Sequence, residues 1–285
     1  MHCPRNGDRF PLRKNDEIFF CILIGRFIEA IIQIFRKNRL GILEGGNHMG
    51  VCPEQFSRTA LLLGEEAVQK LQHATVAVFG LGGVGSHAAE ALVRTGVGKL
   101  VLIDHDTVAE SNINRQVPAL FSTIGRKKVD VMRERLLDIA PNLKIDTHDC
   151  FYLPGNSDHL LENCDYVIDA IDTVSGKLAL VEEARETGVP MISCMGIGNK
   201  RDPSRIEISD LSKTSVCPLC RVMRRELKKR GIFHLKVVYS KEEPVRPAGS
   251  PFPGEKPVPG SLVYVTATAG LLLAAAVVQD LIKNP

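Results

Sequence analysis

Four glycines and one aspartate have the spacing of a phosphate- and ribose-binding site. Gly80, Gly82, Gly83 and Gly85 follow a short apolar run, and Asp104 ends a second apolar run about twenty residues later. A glycine turn that opens a helix presents backbone N–H groups to a phosphate, and a carboxylate after the next strand suits a ribose hydroxyl. The alternative for Asp104 is a solvated carboxylate at a strand end. The pattern indicates a binding site for a nucleotide or dinucleotide, and it occurs most often in NAD-dependent enzymes.

A second group of polar residues favours ATP over NAD. Asn112 and Arg115 lie in the segment SNINRQ, and Lys128 follows in the next basic run. A guanidinium and an ammonium at one phosphate site would bind the β- and γ-phosphates and offset charge as pyrophosphate leaves, which hydride transfer does not require. The alternative for Lys128 is that residues 126–128 form one solvated basic turn.

An aspartate after a later apolar run is a candidate Mg²⁺ ligand. Asp172 ends the segment VIDAID, and the carboxyl ends of strands in a doubly wound sheet meet at the ligand crevice. Carboxylate oxygen is a preferred ligand of Mg²⁺. Asp169 lies inside the same predicted strand, and the alternative to metal binding for this residue is a structural role. The expected cofactors are therefore ATP and Mg²⁺.

The hydrophobic pattern from residue 56 onward alternates between strands and helices. We predict strands at 76–79, 100–103, 144–147, within 165–172, at 191–195 and at 205–209. We predict helices at 65–71, 84–95, 125–139 and 177–187. This order predicts an α/β fold, namely a Rossmann-like, doubly wound, mostly parallel sheet with helices on both faces. The sequence predicts a single main domain with a basic and proline-rich C-terminal insertion.

Composition divides the chain into an N-terminal extension, 1–48, and a nucleotide-binding domain, 49–285. The extension is an amphipathic helix, a disordered segment, or the product of a start assigned too early. The last alternative is suggested because residues 44–46 can be encoded by purine-rich codons that resemble a ribosome-binding site before Met49. Within the domain we expect a basic helix at 217–231, a proline-rich loop at 241–259 and a closing apolar segment at 261–282. We expect the closing segment to pack as a buried helix, so membrane association is not predicted.

Net charge and cysteine content limit the functional classes to which the protein can belong. The net charge is +3 over 285 residues, so binding of a nucleic acid would need a local basic patch. The eight cysteines are scattered, which indicates a reducing cytoplasm and not a disulfide framework. Cys217 and Cys220 form one C-x-x-C pair, for which packing is favoured and a redox couple or a zinc site are the alternatives.

The local basic patch lies in the predicted helix 217–231. Six basic residues and only one acidic residue fall within ten positions. The basic residues are Arg221, Arg224, Arg225, Lys228, Lys229 and Arg230. Such a patch would hold an RNA mostly through its phosphates. The alternative is a solvated helix face.

These motifs are similar to those of the ThiF/MoeB/HesA superfamily of ATP-dependent adenylating enzymes, over residues 56–282. The resemblance implies that a substrate carboxylate attacks the α-phosphate of ATP, which gives an acyl-adenylate and pyrophosphate. The residues that match the superfamily's ATP and Mg²⁺ site are Gly80, Gly82, Gly83, Gly85, Asp104, Asn112, Arg115, Lys128 and Asp172. Arg58 matches an arginine that homodimers of the superfamily insert into the neighbouring protomer's ATP site. The resemblance therefore implies a homodimer in which Arg58 acts in trans beside the catalytic Arg115, Lys128 and Asp172.

Within the superfamily the chain resembles the tRNA threonylcarbamoyladenosine dehydratases, through SRT at 57–59, NINRQ at 112–116 and GIGNK at 196–200. This implies ATP-dependent dehydration (cyclisation) of threonylcarbamoyladenosine at position 37 of tRNA, with the anticodon arm on the basic helix. It also implies a cytoplasmic enzyme, with a sulfur-relay protein as a candidate partner. The alternative is an adenylyltransferase that activates the C-terminus of a ubiquitin-like sulfur-carrier protein. A non-catalytic nucleotide sensor and an NAD oxidoreductase are less favoured.

Overall fold

The computed structural model describes residues 52–153, 160–245 and 258–283. The chain divides into two units, residues 1–51 and 52–285, and all described residues belong to the second. The predicted N-terminal extension, 1–48, therefore lies outside the described residues. Most of the predicted proline-rich loop lies outside them as well, since only 241–245 and 258–259 of that segment are described.

A seven-stranded sheet forms the centre of the domain. Its strands are β1 (Thr75–Phe79), β2 (Lys99–Ile103), β3 (Lys144–His148), β4 (Tyr166–Asp169), β5 (Met191–Cys194), β6 (Ile206–Asp210) and β7 (Lys236–Ser240). Their order in the sheet is β3-β2-β1-β4-β5-β7-β6. All neighbours are parallel except β6 and β7, which are antiparallel. The predicted mostly parallel, doubly wound sheet is confirmed.

Seven α-helices accompany the sheet within the described residues. They are α1 (Ser57–Leu63), α2 (Glu65–His73), α3 (Gly85–Thr95), α4 (Lys128–Ile139), α5 (Val174–Thr187), α6 (Pro218–Lys229) and α7 (Val263–Lys283). Helices α3 and α5 end at Gly96 and Gly188, whose φ values of 117° and 73° are left-handed. Glycine adopts this conformation without a steric penalty, so both stops follow from the sequence.

The alternation of strand side chains separates two cores. Val76 and Val78 of β1 pack in a cluster with residues of α3, α4 and α7, whereas Ala77 and Phe79 pack in a cluster with α5. Successive strand residues point to opposite faces, so a strand that is apolar at every position is buried on both sides. The prediction of helices on both faces is confirmed.

Helix α7 closes the first of these cores. A Cβ atom at Gly270 would lie 2.4 Å from the carbonyl oxygen of Val84, so the helix backbone lies directly against the start of α3. By length and composition α7 could cross a membrane, and half of its most apolar window is buried inside the protein. The prediction that the apolar closing segment is a packed helix agrees with these contacts.

Several boundaries differ from the sequence-based prediction. Helix α4 begins at Lys128 instead of residue 125, because residues 125–127 form a turn whose Lys127 pairs with Thr107 in an isolated β-bridge. Strand β7 was not predicted, and it lies in the interior of the sheet between β5 and β6. Helix α1 was not predicted either. Its Leu61 and Leu62 are exposed, so it lacks the periodic burial that identifies a helix in sequence.

Candidate functional site

A cavity of about 450 Å³ opens at the carboxyl ends of β1, β2 and β4. The chain runs from β1 outward to β3 and then returns to β4 on the other side of β1, which makes this the switch point of the sheet. Of the predicted site residues, those that line the cavity are Gly80, Gly82, Gly83, Asp104, Asn112, Arg115, Lys128 and Asp172. The fold therefore brings together groups that are up to 92 positions apart in the chain.

Three glycines of the turn differ in what a side chain would meet at their positions. Gly80 has φ +88°, and a Cβ atom there would lie 2.7 Å from the Ala170 carbonyl oxygen. A Cβ atom at Gly85 would lie 1.8 Å from the Gly80 carbonyl oxygen, so this position serves packing of the turn and does not line the cavity. At Gly82 the nearest atom would be 3.9 Å away, so its open side faces space that a phosphate can approach.

Asp104 is bonded to the glycine turn from the end of β2. Its Oδ2 accepts a hydrogen bond from the Leu81 N–H at 2.6 Å, and its Oδ1 accepts one from the Asp106 N–H at 2.8 Å. The residue is buried and lines the cavity. Each carboxylate oxygen keeps a lone pair, so the predicted bond to a ribose hydroxyl is compatible with these contacts.

Lys128 is buried, which excludes the solvated-turn interpretation for this residue. Its side chain is only 4% exposed, and its Nζ donates a hydrogen bond to Asp106 Oδ2 at 2.7 Å. The preceding basic residues, Arg126 and Lys127, are exposed and form ion pairs with Glu134 and Asp149. Of the three consecutive cations, only Lys128 lines the cavity.

Arg115 also lines the cavity and is half-buried. Its Nη1 donates to the carbonyl oxygen of Ser111 and to Asn114 Oδ1, both at 2.9 Å. Burial lowers the pKa of the Arg115 guanidinium, which nevertheless stays charged at neutral pH. Asn112 is held nearby, since its Oδ1 accepts from the Ala109 N–H at 3.1 Å and its amide group stays available as a donor.

Asp172 follows β4 and is exposed on the cavity lining. Within the described part of the chain its carboxylate makes no hydrogen bond and no ion pair. An unpaired carboxylate beside two cationic side chains fits a divalent cation bound to phosphates. Asp169, in contrast, is fully buried in an ion pair with Lys177, which confirms its structural interpretation.

Two buried polar atoms in residues that line the cavity have no hydrogen-bond partner. Among the described residues, they are Gln116 Oε1 and Thr173 Oγ1. Buried polar groups in native proteins are nearly always paired, so these atoms are exceptions beside the cavity, although both are enclosed by protein and not open to it. Sequence reasoning missed both residues, although each directly follows a predicted site residue, Arg115 or Asp172.

The cavity lining also contains aromatic residues that the sequence analysis missed. Phe151 packs edge-on against His105 with ring centroids 4.5 Å apart, and Tyr152 packs edge-on against Phe79 at 5.0 Å. Such a surface suits a purine base. Cys150 lies beside them, and burial, followed by the charge of Asp149, raises the pKa of its thiol.

Arg58 and the basic helix lie away from the cavity. Arg58 is exposed on α1 and does not line the cavity of its own chain. On α6, Arg224 points inward, where its Nη1 donates to the carbonyl oxygens of Leu211 and Thr214 at 2.9 Å. Arg224 is therefore a structural residue, and its predicted place on a nucleic-acid surface is corrected.

The remaining cations of the basic helix are exposed. Arg230 pairs with Glu182 at 2.9 Å and also donates to the carbonyl oxygen of Glu226. We define the basic face as Arg221, Arg225, Lys228 and Lys229. Of these, Arg225 and Lys229 share the carboxylate of Glu226. Exposed ion pairs of this kind are weak, so these cations can exchange their partner for a phosphate.

The C-x-x-C pair is buried at the start of α6. Cys217 precedes the helix and Cys220 lies in its first turn. Hydrogen bonding from Cys220 and from backbone N–H groups outweighs burial and lowers the pKa of the Cys217 thiol. The same interaction raises the pKa of Cys220.

Comparison with known proteins agrees with this geometry. The model of the ThiF family matches residues 56–284. The chain is 41% identical to the tRNA threonylcarbamoyladenosine dehydratase of Bacillus subtilis, covering 81% of this chain and 95% of the relative. An adenylyltransferase and sulfurtransferase of Vanderwaltozyma polyspora is 31% identical over 55% of this chain and 35% of that relative.

Solved structures extend the comparison to the fold. The crystal structure of the Escherichia coli tRNA N6-threonylcarbamoyladenosine dehydratase with AMP has a TM-score of 0.75 and 36% identity, covering 81% of this chain and 94% of that chain. The complex of the same enzyme with ATP has a TM-score of 0.73 and 37% identity, at the same coverage. The glycine turn, the two cationic side chains of Arg115 and Lys128, and the unpaired carboxylate of Asp172 thus occur together in one cavity. The chain that carries them belongs to the ThiF family.

Proposed function

We propose that this protein is an ATP-dependent tRNA threonylcarbamoyladenosine dehydratase. The observation that carries the proposal is one cavity that joins the glycine turn, Arg115, Lys128 and Asp172, in a chain similar over most of its length to dehydratases of that name. In the proposed reaction the free carboxylate of the modified adenosine attacks the α-phosphate of ATP and releases pyrophosphate. The carbamoyl group then closes on the activated carbonyl and releases AMP, so that one water is lost in total.

The cavity residues divide the work of adenylation. Backbone N–H groups of the glycine turn and the first turn of α3 bind phosphate oxygens. Lys128 and Arg115, which also line the cavity, offset the charge that develops on the departing pyrophosphate. Asp104 accepts from the ribose, and the aromatic part of the lining with Phe151 holds the adenine.

Asp172 is proposed to hold Mg²⁺. When bound, the ion neutralises phosphate charge and polarises the phosphorus that is attacked. Thr173 and Gln116, the neighbours of Asp172 and Arg115 in the chain, also line the cavity. Carboxylate oxygen, which Asp172 offers, is a donor that this ion prefers.

Ring closure needs no nucleophilic side chain from the protein. The attacking and accepting groups belong to one substrate, so their effective concentration is high. Cys150, which lines the cavity, has a raised pKa and therefore stays a thiol at neutral pH. A covalent thioester step at this residue is not part of the proposal.

We propose that the basic face of α6 binds the tRNA. Its four exposed cations can contact successive phosphates of the anticodon arm without sequence specificity. Arg230 lies at the end of the same helix and contributes at the rim of this surface, since its side chain is about one-third exposed (34%). A tRNA substrate is consistent with a cytoplasmic location of the protein. A sulfur-relay protein as a further partner stays a prediction.

We propose further that the protein is a homodimer in which Arg58 enters the partner's ATP site. Helix α1 carries Arg58 together with Leu61 and Leu62, whose exposures are 84% and 88%. Adjacent leucines exposed to this extent favour burial against another surface. Mixing Arg58→Ala with Asp172→Ala subunits should restore activity, because one hybrid site keeps both residues. Absence of recovery after confirmed subunit exchange would contradict action in trans.

The decisive experiment for the reaction is mass spectrometry of tRNA nucleosides. Threonylcarbamoyl-modified tRNA is incubated with the protein, ATP and Mg²⁺, and the modified nucleoside should lose the mass of one water. The matched control is Lys128→Ala, which should leave the nucleoside unchanged. A wild-type protein that releases no pyrophosphate with this tRNA, but does so with a carrier protein ending in Gly-Gly, would favour the adenylyltransferase alternative.

A further inference from the structure

A buried ion pair lies directly behind the loop that carries Asp172. Lys177 Nζ lies 3.1 Å from both carboxylate oxygens of Asp169, and the two side chains are 1% and 0% exposed. Lys177 also donates to the carbonyl oxygen of Cys194 at 2.7 Å and to Ser193 Oγ at 3.3 Å. The pair thus joins β4, β5 and α5 at one point.

The same carboxylate also holds the backbone of the cavity loop. Asp169 Oδ1 accepts a hydrogen bond from the Ile171 N–H at 3.0 Å. Ile171 lines the cavity and immediately precedes Asp172. On the other side, the Ala170 N–H donates to the Phe79 carbonyl oxygen at 2.8 Å, which places the loop against the glycine turn. The backbone before Asp172 is therefore held by two hydrogen bonds, one of which depends on a charged side chain.

Stability alone gives a weak reason for such a pair. Removing two charges from water is costly, and replacing a buried ion pair by well-packed apolar residues is often neutral or stabilising. An apolar pair, however, cannot accept the hydrogen bond of the Ile171 N–H. What the charged pair adds is a fixed direction for the backbone at the residue before the proposed metal ligand.

We propose that Asp169 and Lys177 are positioning residues that set the carboxylate of Asp172 for Mg²⁺ and ATP. Lys177 orients Asp169 through both carboxylate oxygens, and Asp169 orients the loop through Ile171. This inference rests on the proposed function, because it assigns Mg²⁺ to Asp172. Residues that orient metal ligands from behind affect metal affinity by about 10- to 100-fold when replaced.

The test replaces the pair by apolar residues, as Asp169→Leu with Lys177→Met. Single replacements should lower the melting temperature strongly, because each leaves one buried charge unpaired. The double variant should recover only part of the melting temperature, because no buried charge is left unpaired but the Ser193 hydroxyl and the Ile171 N–H lose their acceptor. It should need about ten-fold more Mg²⁺ for half-maximal ATP binding. Hydrogen exchange at the Ile171 amide should also become faster. If this double variant does not fold, Asp169→Val with Lys177→Leu serves the same test.

Two controls make the result specific. Asp169→Asn with Lys177→Met keeps an oxygen acceptor for the Ile171 N–H, so its Mg²⁺ requirement should stay near that of the wild type. Lys236→Met with Asp280→Leu removes an ion pair between β7 and α7, away from the cavity, and should leave the Mg²⁺ requirement unchanged.

The outcomes separate the two levels of the proposal. A folded Asp169→Leu, Lys177→Met protein with wild-type Mg²⁺ requirement and wild-type exchange at Ile171 overturns the positioning role and leaves the proposed function intact. A wild-type protein whose ATP binding is independent of Mg²⁺ overturns both the assignment of Asp172 and this inference.

Discussion

Replacing Lys128 with alanine is the most direct perturbation of the phosphate site. The Lys128 side chain is 4% exposed, so bulk water screens its charge poorly. A unit charge about 4 Å from a phosphate oxygen contributes about 4 kcal/mol at an effective dielectric constant of about 20. Loss of one preorganised donor in comparable sites costs about 3–4 kcal/mol of transition-state stabilisation. We therefore expect pyrophosphate release to slow by about 100- to 1000-fold.

The fold should survive this change. Asp106, the ion-pair partner of Lys128, has a side chain that is 49% exposed and regains water when the lysine is removed. The melting temperature followed by circular dichroism should therefore shift by only a few degrees, as expected for a change of about 1 kcal/mol. The rate is measured with threonylcarbamoyl-modified tRNA under saturating ATP in a coupled pyrophosphate assay.

The adjacent lysine provides a matched control. Lys127→Ala removes the same charge one residue earlier, from an exposed side chain that pairs with Asp149. Its turnover should stay close to that of the wild type. Equal rates for both variants, or equal losses, would refute the reasoning, because burial at the cavity would then not distinguish the two lysines.

Other changes test other parts of the structure. Gly82→Ala should fold but lose the thermal shift induced by ATP, whereas Gly85→Ala should lower the melting temperature strongly, because its Cβ atom would lie 1.8 Å from a carbonyl oxygen. Arg221→Ala with Lys228→Ala should weaken tRNA binding and reduce its salt dependence by about two phosphate contacts, while ATP binding stays unchanged. Burial raises the pKa of Asp280, but hydrogen bonds from its lysine and tyrosine partners outweigh burial and lower it overall. Its contribution to stability is thus present above about pH 4 and is lost as the pH falls through the lowered pKa, so the stability gap between wild type and Asp280→Asn should shrink in acid.

Local sequence patterns determined the core of the fold. The apolar runs of β1, β2 and β4 predict strands buried on both faces, because each residue of such a strand meets a covering helix. Gly96 and Gly188 mark helix ends because only glycine enters the left-handed region freely. The spacing of the glycine turn and Asp104 was sufficient to predict the nucleotide crevice, and the family and fold predicted from these motifs are confirmed.

The sequence could not assign a role to individual charged residues. Arg126, Lys127 and Lys128 are consecutive cationic residues that the sequence does not distinguish by charge. Packing buries Lys128, whereas the other two form ion pairs at the surface. On α6, Arg224 belongs to the same basic run as Arg225, yet the fold directs it inward to backbone carbonyl oxygens. Charge is a property of the residue, whereas exposure depends on the direction in which the helix is docked.

What the sequence by itself determined is most of the strands and helices and the presence of a nucleotide site, since both are encoded by periodicity and by glycine. Only the tertiary structure decided which polar groups of that site are buried, paired or exposed. The unpaired atoms of Gln116 and Thr173 are recognised only in the fold, because burial removes them from water without giving them a partner. The pairing of Asp169 with Lys177 likewise arises because α5 packs against the ends of β4 and β5. Contacts of this kind depend on three-dimensional packing, which local patterns in the chain do not specify.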